Sequence, residues 1–299
     1  MINLEQPNGE KVGLVQLVYN YSLKIYLKII AKNNIMFRNI ILFPHRAGQK
    51  RPGVEKTPYF IKSLLHPHCK VIDTPVNSDL QTNLYNLYQK NVLTTGPRVN
   101  IGGDHSMSIA TVSDSIRRYP NLKLIWMDAH ADINTYDKST TKNFHGMPLS
   151  ILTGIEKDPS LKFIKKNIKP KNILYIGIRD IDPFEQEIIS KYNMNIITVD
   201  EIQELNNNTY WGKISNFIED DPVHFSFDVD VLEPNVLPST GTLVENGLQL
   251  EPCKYIIDNI MSKNVVSTDL TELNLTIGHI EERAKSIIHF SYLFKNYIF

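Results

Sequence analysis

The chain has 299 residues, of which 32 are basic and 32 acidic, so its formal net charge is zero. This balance excludes the strongly positive surface of a protein whose main partner is nucleic acid, and no run approaches the roughly 18 apolar residues of a membrane-spanning helix. Apolar residues make up 42% and cysteines number only 2, which predicts a well-packed protein in a reducing, cytoplasmic setting that acts on small molecules.

Residues 1–35 are predicted to form an extension outside the folded domain. Apolar residues are dense at 13–30, but Lys24 and Lys28 interrupt the run, and no clean signal-peptide cleavage site follows it. The first clear strand begins shortly after this segment. We therefore place the folded domain at 36–299.

From residue 39 onward, short apolar runs alternate with longer helical segments, a pattern typical of βαβ units. The predicted strands are 39–43, 70–73, 98–102, 122–128, 173–178, 195–198, 223–228 and 265–269. The predicted helices are 80–93, 106–118, 183–191, 210–218, 251–261 and 281–294. The pattern predicts a single-domain α/β fold, a three-layer α/β/α arrangement with a mostly parallel sheet of about eight strands.

Two of these strands are followed by aspartate and histidine residues, which are common metal ligands. The apolar run Leu-Ile-Trp-Met leads into Asp128, His130 and Asp132, which are spaced two apart and so project to one side of an extended chain. A later apolar strand delivers Asp228 and Asp230 with the same spacing. Two separated parts of the chain therefore offer matching sets of ligands.

Other strand ends carry further polar residues. One strand leads through a Gly-Gly turn to Asp104 and His105, and Glu272 follows the last predicted strand. Ligands of open α/β sheets bind outside the carboxyl ends of the strands, so we expect these residues to converge on one pocket. Asp180 and Asp182 follow the fifth strand, where a salt bridge to the preceding arginine and a helix N-cap are the simpler interpretations.

The ligand types indicate which ions bind. Carboxylates with imidazoles favour Mn²⁺, with Fe²⁺, Co²⁺, Ni²⁺ and Zn²⁺ as alternatives, over ions that seek thiolates. The set exceeds what one ion needs, and clustered aspartates repel one another strongly unless cations pair with them. Two ions roughly 3.5 to 4 Å apart can share bridging carboxylates and activate a water. The pattern therefore predicts a dinuclear hydrolase.

Four motifs, taken together and in this order, resemble the ureohydrolase superfamily. They are Gly102-Gly-Asp-His-Ser106, Asp128-Ala-His-Ala-Asp132, Ser226-Phe-Asp-Val-Asp230 and Asp269-Leu-Thr-Glu272. Within the superfamily, the loop from Asn134 to His145 is most similar to that of arginase. The resemblance covers about residue 38 to the C-terminus, so 36–299 is expected to be an arginase-like catalytic domain.

The resemblance implies two Mn²⁺ ions per subunit and a hydroxide that bridges them and attacks the guanidinium carbon of L-arginine, giving L-ornithine and urea. One ion would be held by His105 and Asp132, the other by His130 and Asp230, with Asp128 and Asp228 bridging. Catalytic roles fall to His145 as proton shuttle, to Asp132 and to Glu272.

The same resemblance assigns the substrate contacts. Neutral donors for the α-carboxylate are Asn134, Ser139 and Thr141, which suit that acceptor. Asp182 would lie near the α-amino group, Glu272 would pair with the guanidinium, and Thr242 would lie beside that carboxylate. Tyr136 departs from the resemblance, because arginases have proline there.

Alternatives stay open at this stage. One is a hydrolase of agmatine or another guanidino compound, although agmatine has no carboxylate for the loop from Asn134 to His145 to bind. Another is a non-catalytic protein that binds arginine or ornithine on the same fold. The resemblance also implies a homo-oligomer, a trimer.

Overall fold

The computed structural model describes residues 39–65, 67, 69–204 and 207–299. The predicted extension at 1–35 lies outside these residues. None of the helices described here is long and apolar enough to cross a bilayer.

One eight-stranded sheet organises the domain, in the order β2-β1-β3-β8-β7-β4-β5-β6, and every pair of neighbouring strands is parallel. The strands are β1 (Asn39–Phe43), β2 (Lys70–Asp73), β3 (Arg98–Gly102), β4 (Lys123–Met127), β5 (Ile173–Ile176), β6 (Asn195–Ile197), β7 (Val223–Asp228) and β8 (Val265–Thr271). The predicted α/β class is confirmed, and the sheet is parallel throughout.

Helices connect the strands. They are α1 (Thr57–Lys62), α2 (Leu80–Leu93), α3 (Ser108–Arg118), α4 (Pro148–Thr153), α5 (Pro183–Tyr192), α6 (Val199–Glu204), α7 (Asn207–Ile218), α8 (Leu250–Met261) and α9 (Ile280–Phe294). Short 3₁₀ turns follow β3 and β7, at His105–Met107 and Val229–Val231.

The strands bury both of their faces, as parallel sheets do. In β4, Ile125 and Met127 belong to a core cluster that also contains residues of α7, α8 and α9. Leu124 and Trp126 alternate with them and belong to a second cluster with residues of α3 and α5. This alternation places helices on both sides of the sheet and produces the three predicted layers.

Every predicted element agrees with the structure to within three residues at each end, and two differences matter here. The short helices α1, α4 and α6 were not predicted, because six residues are too few to show a helical period. Strand β8 runs to Thr271 rather than ending at Asp269, so Asp269 is a fully buried residue inside the sheet.

Four neighbouring strands in the middle of the sheet, β3, β8, β7 and β4, lead directly into the predicted ligand motifs. Their carboxyl ends lie at the same edge because all four run in the same direction. The sheet order thus brings together segments that are far apart in the sequence.

Candidate active site

A cavity of about 260 Å³ opens at this edge of the sheet. The predicted metal-ligating, catalytic and substrate-binding residues all line it: His105, Asp128, His130, Asp132, Asn134, Ser139, Thr141, His145, Asp182, Asp228, Asp230, Thr242 and Glu272. Asp104, which was also expected at this pocket, does not line it: its buried carboxylate accepts from the backbone nitrogens of Gly48 and Ser106. The structure therefore brings the metal-type ligands and the polar loop side chains to one pocket.

Two groups of ligand atoms form within the cavity and share one aspartate. The first consists of His105, Asp128 and Asp132, and the second of Asp128, His130 and Asp230. Within each group, the ligand atoms all lie within 4.8 Å of one another. Asp128 can therefore contribute to two adjacent ions, as a bridging carboxylate does.

The distances around His105 show how closely the first group converges. His105 Nδ1 lies 3.0 Å from Asp128 Oδ2, 3.1 Å from Asp132 Oδ2 and 3.2 Å from Asp228 Oδ2. In the second group, His130 Nδ1 lies 3.1 Å from Asp230 Oδ2. Each imidazole thus directs the same type of nitrogen toward carboxylate oxygens.

Two buried atoms indicate that these groups suit metal ions. His105 Nδ1 and Asp128 Oδ2 are both buried and 3.0 Å apart, but they do not have the geometry of a hydrogen bond, and neither has another hydrogen-bond partner. Buried polar atoms without partners are rare in folded proteins, and a bound ion is one of the explanations for them. The mixture of carboxylate oxygens and imidazole nitrogens fits Mn²⁺ and related divalent ions.

The protein charges alone make the carboxylates difficult to ionise together. Burial and the nearby charges of Asp230 and Asp128 raise the pKa of Asp228 well above its usual range. Burial, followed by the charge of Asp128, raises the pKa of Asp132 to about 6. Divalent cations would relieve this repulsion, which is a second reason to regard the cluster as a metal site.

The backbone at each strand end turns so that alternate carboxylates face the cavity. Asp128 Oδ1 accepts a hydrogen bond from the backbone nitrogen of His130 at 2.7 Å, and Asp228 Oδ1 accepts one from that of Asp230 at 2.9 Å. Asp132 adopts a left-handed conformation with a φ of 49°. Asp128 and Asp228 thereby use one oxygen to hold the turn and direct the other toward the site.

A buried polar network orients His105. Its Nε2 lies 2.8 Å from Ser226 Oγ, which is 3.2 Å from Ser108 Oγ, and Ser108 donates to Asp269 Oδ2 at 2.8 Å. The ring also stacks on Trp126, with 4.0 Å between ring centroids. Such contacts fix the ring and the tautomer of a metal-binding histidine, here leaving Nδ1 for the ion.

Asp180 lies beside the second group. Its Oδ2 is 3.6 Å from His130 Nε2. Arg179 does not pair with it but donates to backbone carbonyl oxygens, including those of Glu245 and Asp230. The salt-bridge interpretation of Asp180 is therefore wrong, and its carboxylate instead faces a candidate metal ligand.

Glu272 lies in a left-handed conformation, with a φ of 64°, directly after β8. Gln49 Nε2 donates to its Oε2 at 2.6 Å, the backbone nitrogen of His105 donates to Oε1 at 2.9 Å, and His145 Nδ1 lies 3.1 Å from Oε1. Burial raises the pKa of Glu272, but these partners outweigh burial, and the net pKa is lowered. Glu272 is thus held as a carboxylate at the cavity wall.

His145 is paired with Glu272, and the pair predicts a specific titration. Burial lowers the pKa of His145, but the hydrogen bond and charge of Glu272 outweigh it and raise the pKa to about 9. Since this value exceeds the reference of about 6.5, the stability from the raised pKa is complete below about pH 6.5 and disappears as the pH rises through about 9. In metal-stripped Glu272→Gln protein, we expect His145 to titrate closer to its reference pKa.

Nuclear magnetic resonance of the His145 ring protons measures this shift directly. The control is Asp137→Asn, which neutralises an exposed carboxylate at the loop surface and is expected to leave the titration of His145 unchanged. Equal His145 pKa values in the wild type and Glu272→Gln would contradict the assigned pair.

The loop that follows Asp132 presents hydroxyl and amide groups to the cavity. Ser139 Oγ accepts from the backbone nitrogen of Lys142 at 3.1 Å, and Thr141 Oγ1 accepts from that of Asn143 at 3.3 Å. The two hydroxyl oxygens also lie 3.4 Å apart, where either can donate to the other, so at least one hydroxyl proton remains for donation into the cavity. Asn134 donates one amide hydrogen to Asp182 Oδ2 at 2.7 Å and has a second to offer.

Two predicted substrate contacts have partners that the sequence analysis did not place. Thr242 Oγ1 donates to Asp230 Oδ2 at 2.8 Å, so it supports a candidate metal ligand. Asp182 caps α5 in a reciprocal arrangement with Glu185, as its helix-cap interpretation predicted, and it also lines the cavity.

Two residues at the cavity, Gln49 and Glu185, were not predicted from the sequence. Gln49 reaches Glu272 because its loop packs tightly on Asp104: Gly48 donates to Asp104 Oδ2 at 2.9 Å, and a Cβ at Gly48 would lie only 2.4 Å from Asp104 Oδ1. Glu185 lines the cavity, and its pKa is raised to about 7, mainly by burial and also by the charge of Asp132. The glycine before Gln49 was the only local signal, and it does not reveal the partner.

Comparisons with known proteins agree with this geometry. A family model described as the Arginase family matches residues 39–289. An arginase of Glaciozyma antarctica (strain PI12) is 37% identical over 221 residues, which are 71% of this chain and 63% of that protein. Arginase-2, mitochondrial, of Homo sapiens is 33% identical over 296 residues, covering 86% of this chain and 83% of that protein.

Similar solved structures include that of Entamoeba histolytica arginase in complex with L-ornithine. It aligns with a TM-score of 0.77 and 28% sequence identity, and the match covers 86% of this chain and 97% of that one. This comparison places the sheet and its connections in a known fold and confirms the family that the four motifs resemble.

Proposed function

Because the chain belongs to the arginase family, we propose that it hydrolyses L-arginine to L-ornithine and urea with two Mn²⁺ ions. The observation that carries this proposal is the sharing of Asp128 between two adjacent ligand groups inside the cavity. Its placement in the cytoplasm and its assembly into trimers remain predictions from the sequence.

Residues of the two groups would hold the ions. His105 and Asp132 fit one ion, His130 and Asp230 the other, and Asp128 with Asp228 would lie between them. When bound, the ions supply a water activated for attack at neutral pH. Because His105 Nδ1 and Asp128 Oδ2 have no hydrogen-bond partner, both atoms are available to a bound ion, which supports this assignment.

Glu272 is suited to orient the substrate guanidinium. A carboxylate and a guanidinium form paired, directional hydrogen bonds, and Gln49 with the backbone of His105 holds the carboxylate in one orientation. An orientation fixed in advance costs less to achieve during the reaction. Glu272 would thus set the position of the guanidinium carbon relative to the candidate metal ligands.

His145 would manage the leaving-group proton. Hydrolysis breaks the bond between the guanidinium carbon and the side-chain nitrogen, and that nitrogen must gain a proton to leave as the δ-amine of ornithine. The contact with Glu272 raises the pKa of His145 to about 9, which keeps the ring protonated near neutral pH. Positioned general acids of this kind contribute about 10² to 10⁴ in rate.

The polar loop favours arginine over agmatine. At least one of the linked hydroxyl groups of Ser139 and Thr141, together with the second amide hydrogen of Asn134, can donate to a carboxylate. Agmatine has no α-carboxylate and would leave these donors without an acceptor. The complex of the Entamoeba histolytica arginase with L-ornithine, an amino acid with that group, supports the same preference.

Urea release from L-arginine and from agmatine tests the proposal. We expect metal-stripped protein reloaded with Mn²⁺ to release urea from L-arginine with a kcat/KM at least about 100-fold higher than from agmatine, since unpaired buried donors penalise the substrate that lacks the acceptor. A higher kcat/KM for agmatine would instead indicate that the protein is an agmatine hydrolase. Ornithine binding without urea from either substrate would favour the non-catalytic alternative.

A further inference from the structure

The loop between Asp132 and α4 is closed at its base and crossed by one side chain. The backbone nitrogen of Asn134 donates to the carbonyl oxygen of Gly146 at 3.2 Å, which joins the two ends of the loop. Between them, Lys142 adopts a left-handed conformation with a φ of 60°, which is uncommon for a residue with a side chain. This turn directs the chain back toward the first half of the loop.

The contacts of Lys142 link the two halves of the loop. Its ammonium group donates to the carbonyl oxygens of Tyr136 and Asp137, the latter at 3.2 Å, and lies 5.0 Å from the centre of the Tyr136 ring. Its backbone nitrogen donates to Ser139 Oγ at 3.1 Å. One exposed lysine thus holds both the outer turn and a buried hydroxyl that lines the cavity.

The hydroxyl of Ser139 depends on this arrangement for its direction. Because Ser139 Oγ accepts from Lys142, its proton must be donated elsewhere, and Thr141 Oγ1 lies 3.4 Å away on the same wall of the cavity. Without the contacts to Tyr136 and Asp137, the outer turn would gain conformational freedom. Ordering that turn when a substrate binds would then reduce affinity.

We propose that Lys142 is a positioning residue that orders the hydroxyl donors of this loop and thereby sets the preference for substrates with an α-carboxylate. The inference rests on the proposed function, because it concerns recognition of L-arginine at the same cavity. It assigns the preference to a residue outside the cavity lining, acting through Ser139 and Thr141.

The chain offers matched variants that separate the possible effects. Lys142→Met keeps most of the side-chain length and loses the ammonium, whereas Lys142→Arg keeps a cationic donor for the two carbonyl groups. Lys142→Gly loses the ammonium but adopts positive φ without strain. Lys138→Met removes the same charge from the same loop, where the ammonium lies 6.0 Å from the Phe184 ring.

Steady-state kinetics of the Mn²⁺-loaded protein test the proposal. We expect Lys142→Met and Lys142→Gly to raise the KM for L-arginine and the inhibition constant of L-ornithine together, by about tenfold, with kcat changed by no more than about twofold. Lys142→Arg should restore values close to the wild type, and Lys138→Met should change them by less than about twofold. Any measurable KM for agmatine should stay unchanged in all four variants.

Several results would overturn the inference. An unchanged KM for L-arginine in Lys142→Met would show that the ammonium does not act on substrate binding. An equal rise in Lys138→Met would assign the effect to charge alone, and an equal rise in the KM for agmatine would assign it to general damage to the site. Failure of the proposed function is distinguishable, because wild-type protein would then release no urea from L-arginine.

Discussion

Replacing Asp128 by asparagine is expected to reduce urea release from L-arginine by about a thousandfold or more, since metal ions in such sites supply several kcal/mol of transition-state stabilisation. Asp128 is the one residue that both ligand groups share. Its Oδ2 lies 3.0 Å from His105 Nδ1 and has no hydrogen-bond partner, whereas Oδ1 holds the turn to His130. An amide that retains the turn would direct its NH₂ group at the ion positions.

This variant should lose metal binding together with activity. Isothermal titration with Mn²⁺ is expected to show at least one ion fewer per chain than in the wild type, and circular dichroism of the stripped protein checks that the variant folds. Asp137→Asn, on the exposed part of the adjoining loop, is the control and should bind and react normally. Wild-type metal stoichiometry and activity in Asp128→Asn would exclude Asp128 as a bridging ligand.

Replacing Asp269 by alanine is expected to lower the free energy of unfolding by about 3 kcal/mol or more, because it leaves several buried donors without an acceptor, at about 1 to 3 kcal/mol each. Asp269 is fully buried and accepts from Asn100 at 2.9 Å, Ser108 at 2.8 Å and Thr111 at 2.5 Å, while His224 Nε2 lies 3.0 Å from its Oδ2. Burial raises its pKa, but His224 and these donors outweigh burial, and the net pKa is lowered.

The same substitution should weaken Mn²⁺ binding, because Asp269 holds Ser108 and, through Ser226, the ring of His105. Loss of such supporting contacts typically costs about 10- to 100-fold in metal affinity. Urea denaturation measures the stability, and Ser226→Ala, a smaller change, tests the metal effect if Asp269→Ala does not fold. Asp73→Ala, which breaks an exposed pair with Lys62, should cost no more than about 1 kcal/mol. Equal stability losses in Asp269→Ala and Asp73→Ala would contradict the assigned network.

The predicted metal ligands could be located in the sequence because clusters of ligand-type residues directly follow apolar strands. Asp128 directly follows β4 and Asp228 is the last residue of β7, as predicted. Asp132, with a φ of 49°, and Asp230, in the 3₁₀ turn Val229–Val231, lie in turns rather than in the extended chain that the sequence predicted. A parallel sheet places the ends of its strands at one edge, and this brings the two motifs together. The sequence does not specify strand order, yet β7 and β4 are neighbours, and this pairing makes the shared use of Asp128 possible.

Contacts between distant residues were not predictable in this way. Gln49 and Glu272 are 223 positions apart, and neither the turn at Gly48 nor the end of β8 indicates that they meet. Asp269 was placed with the strand-end residues, but β8 continues for two residues beyond it and buries it among partners from β3, β7 and α3. Hydrogen bonds that depend on sheet order and helix packing leave no period in the sequence.

The loop from Asn134 to Gly146 lies between these cases. Its donor side chains were assigned only by resemblance, and the structure adds the direction of their protons through contacts with the backbone nitrogens of Lys142 and Asn143. The sequence does not indicate that Lys142 has a positive φ. Residues with positive φ are usually glycine or asparagine, so a lysine at such a position is not expected.

We propose that two ions and this cavity together hydrolyse L-arginine. The most direct measurement is urea release from L-arginine by metal-stripped protein as Mn²⁺ is added in steps and the bound ion is counted. The predicted activity is near zero without Mn²⁺ and reaches its plateau at two bound ions per chain, as the two ligand groups require. A plateau at one ion, or full activity in the stripped protein, would contradict the dinuclear centre, and two bound ions without urea would contradict the assigned reaction.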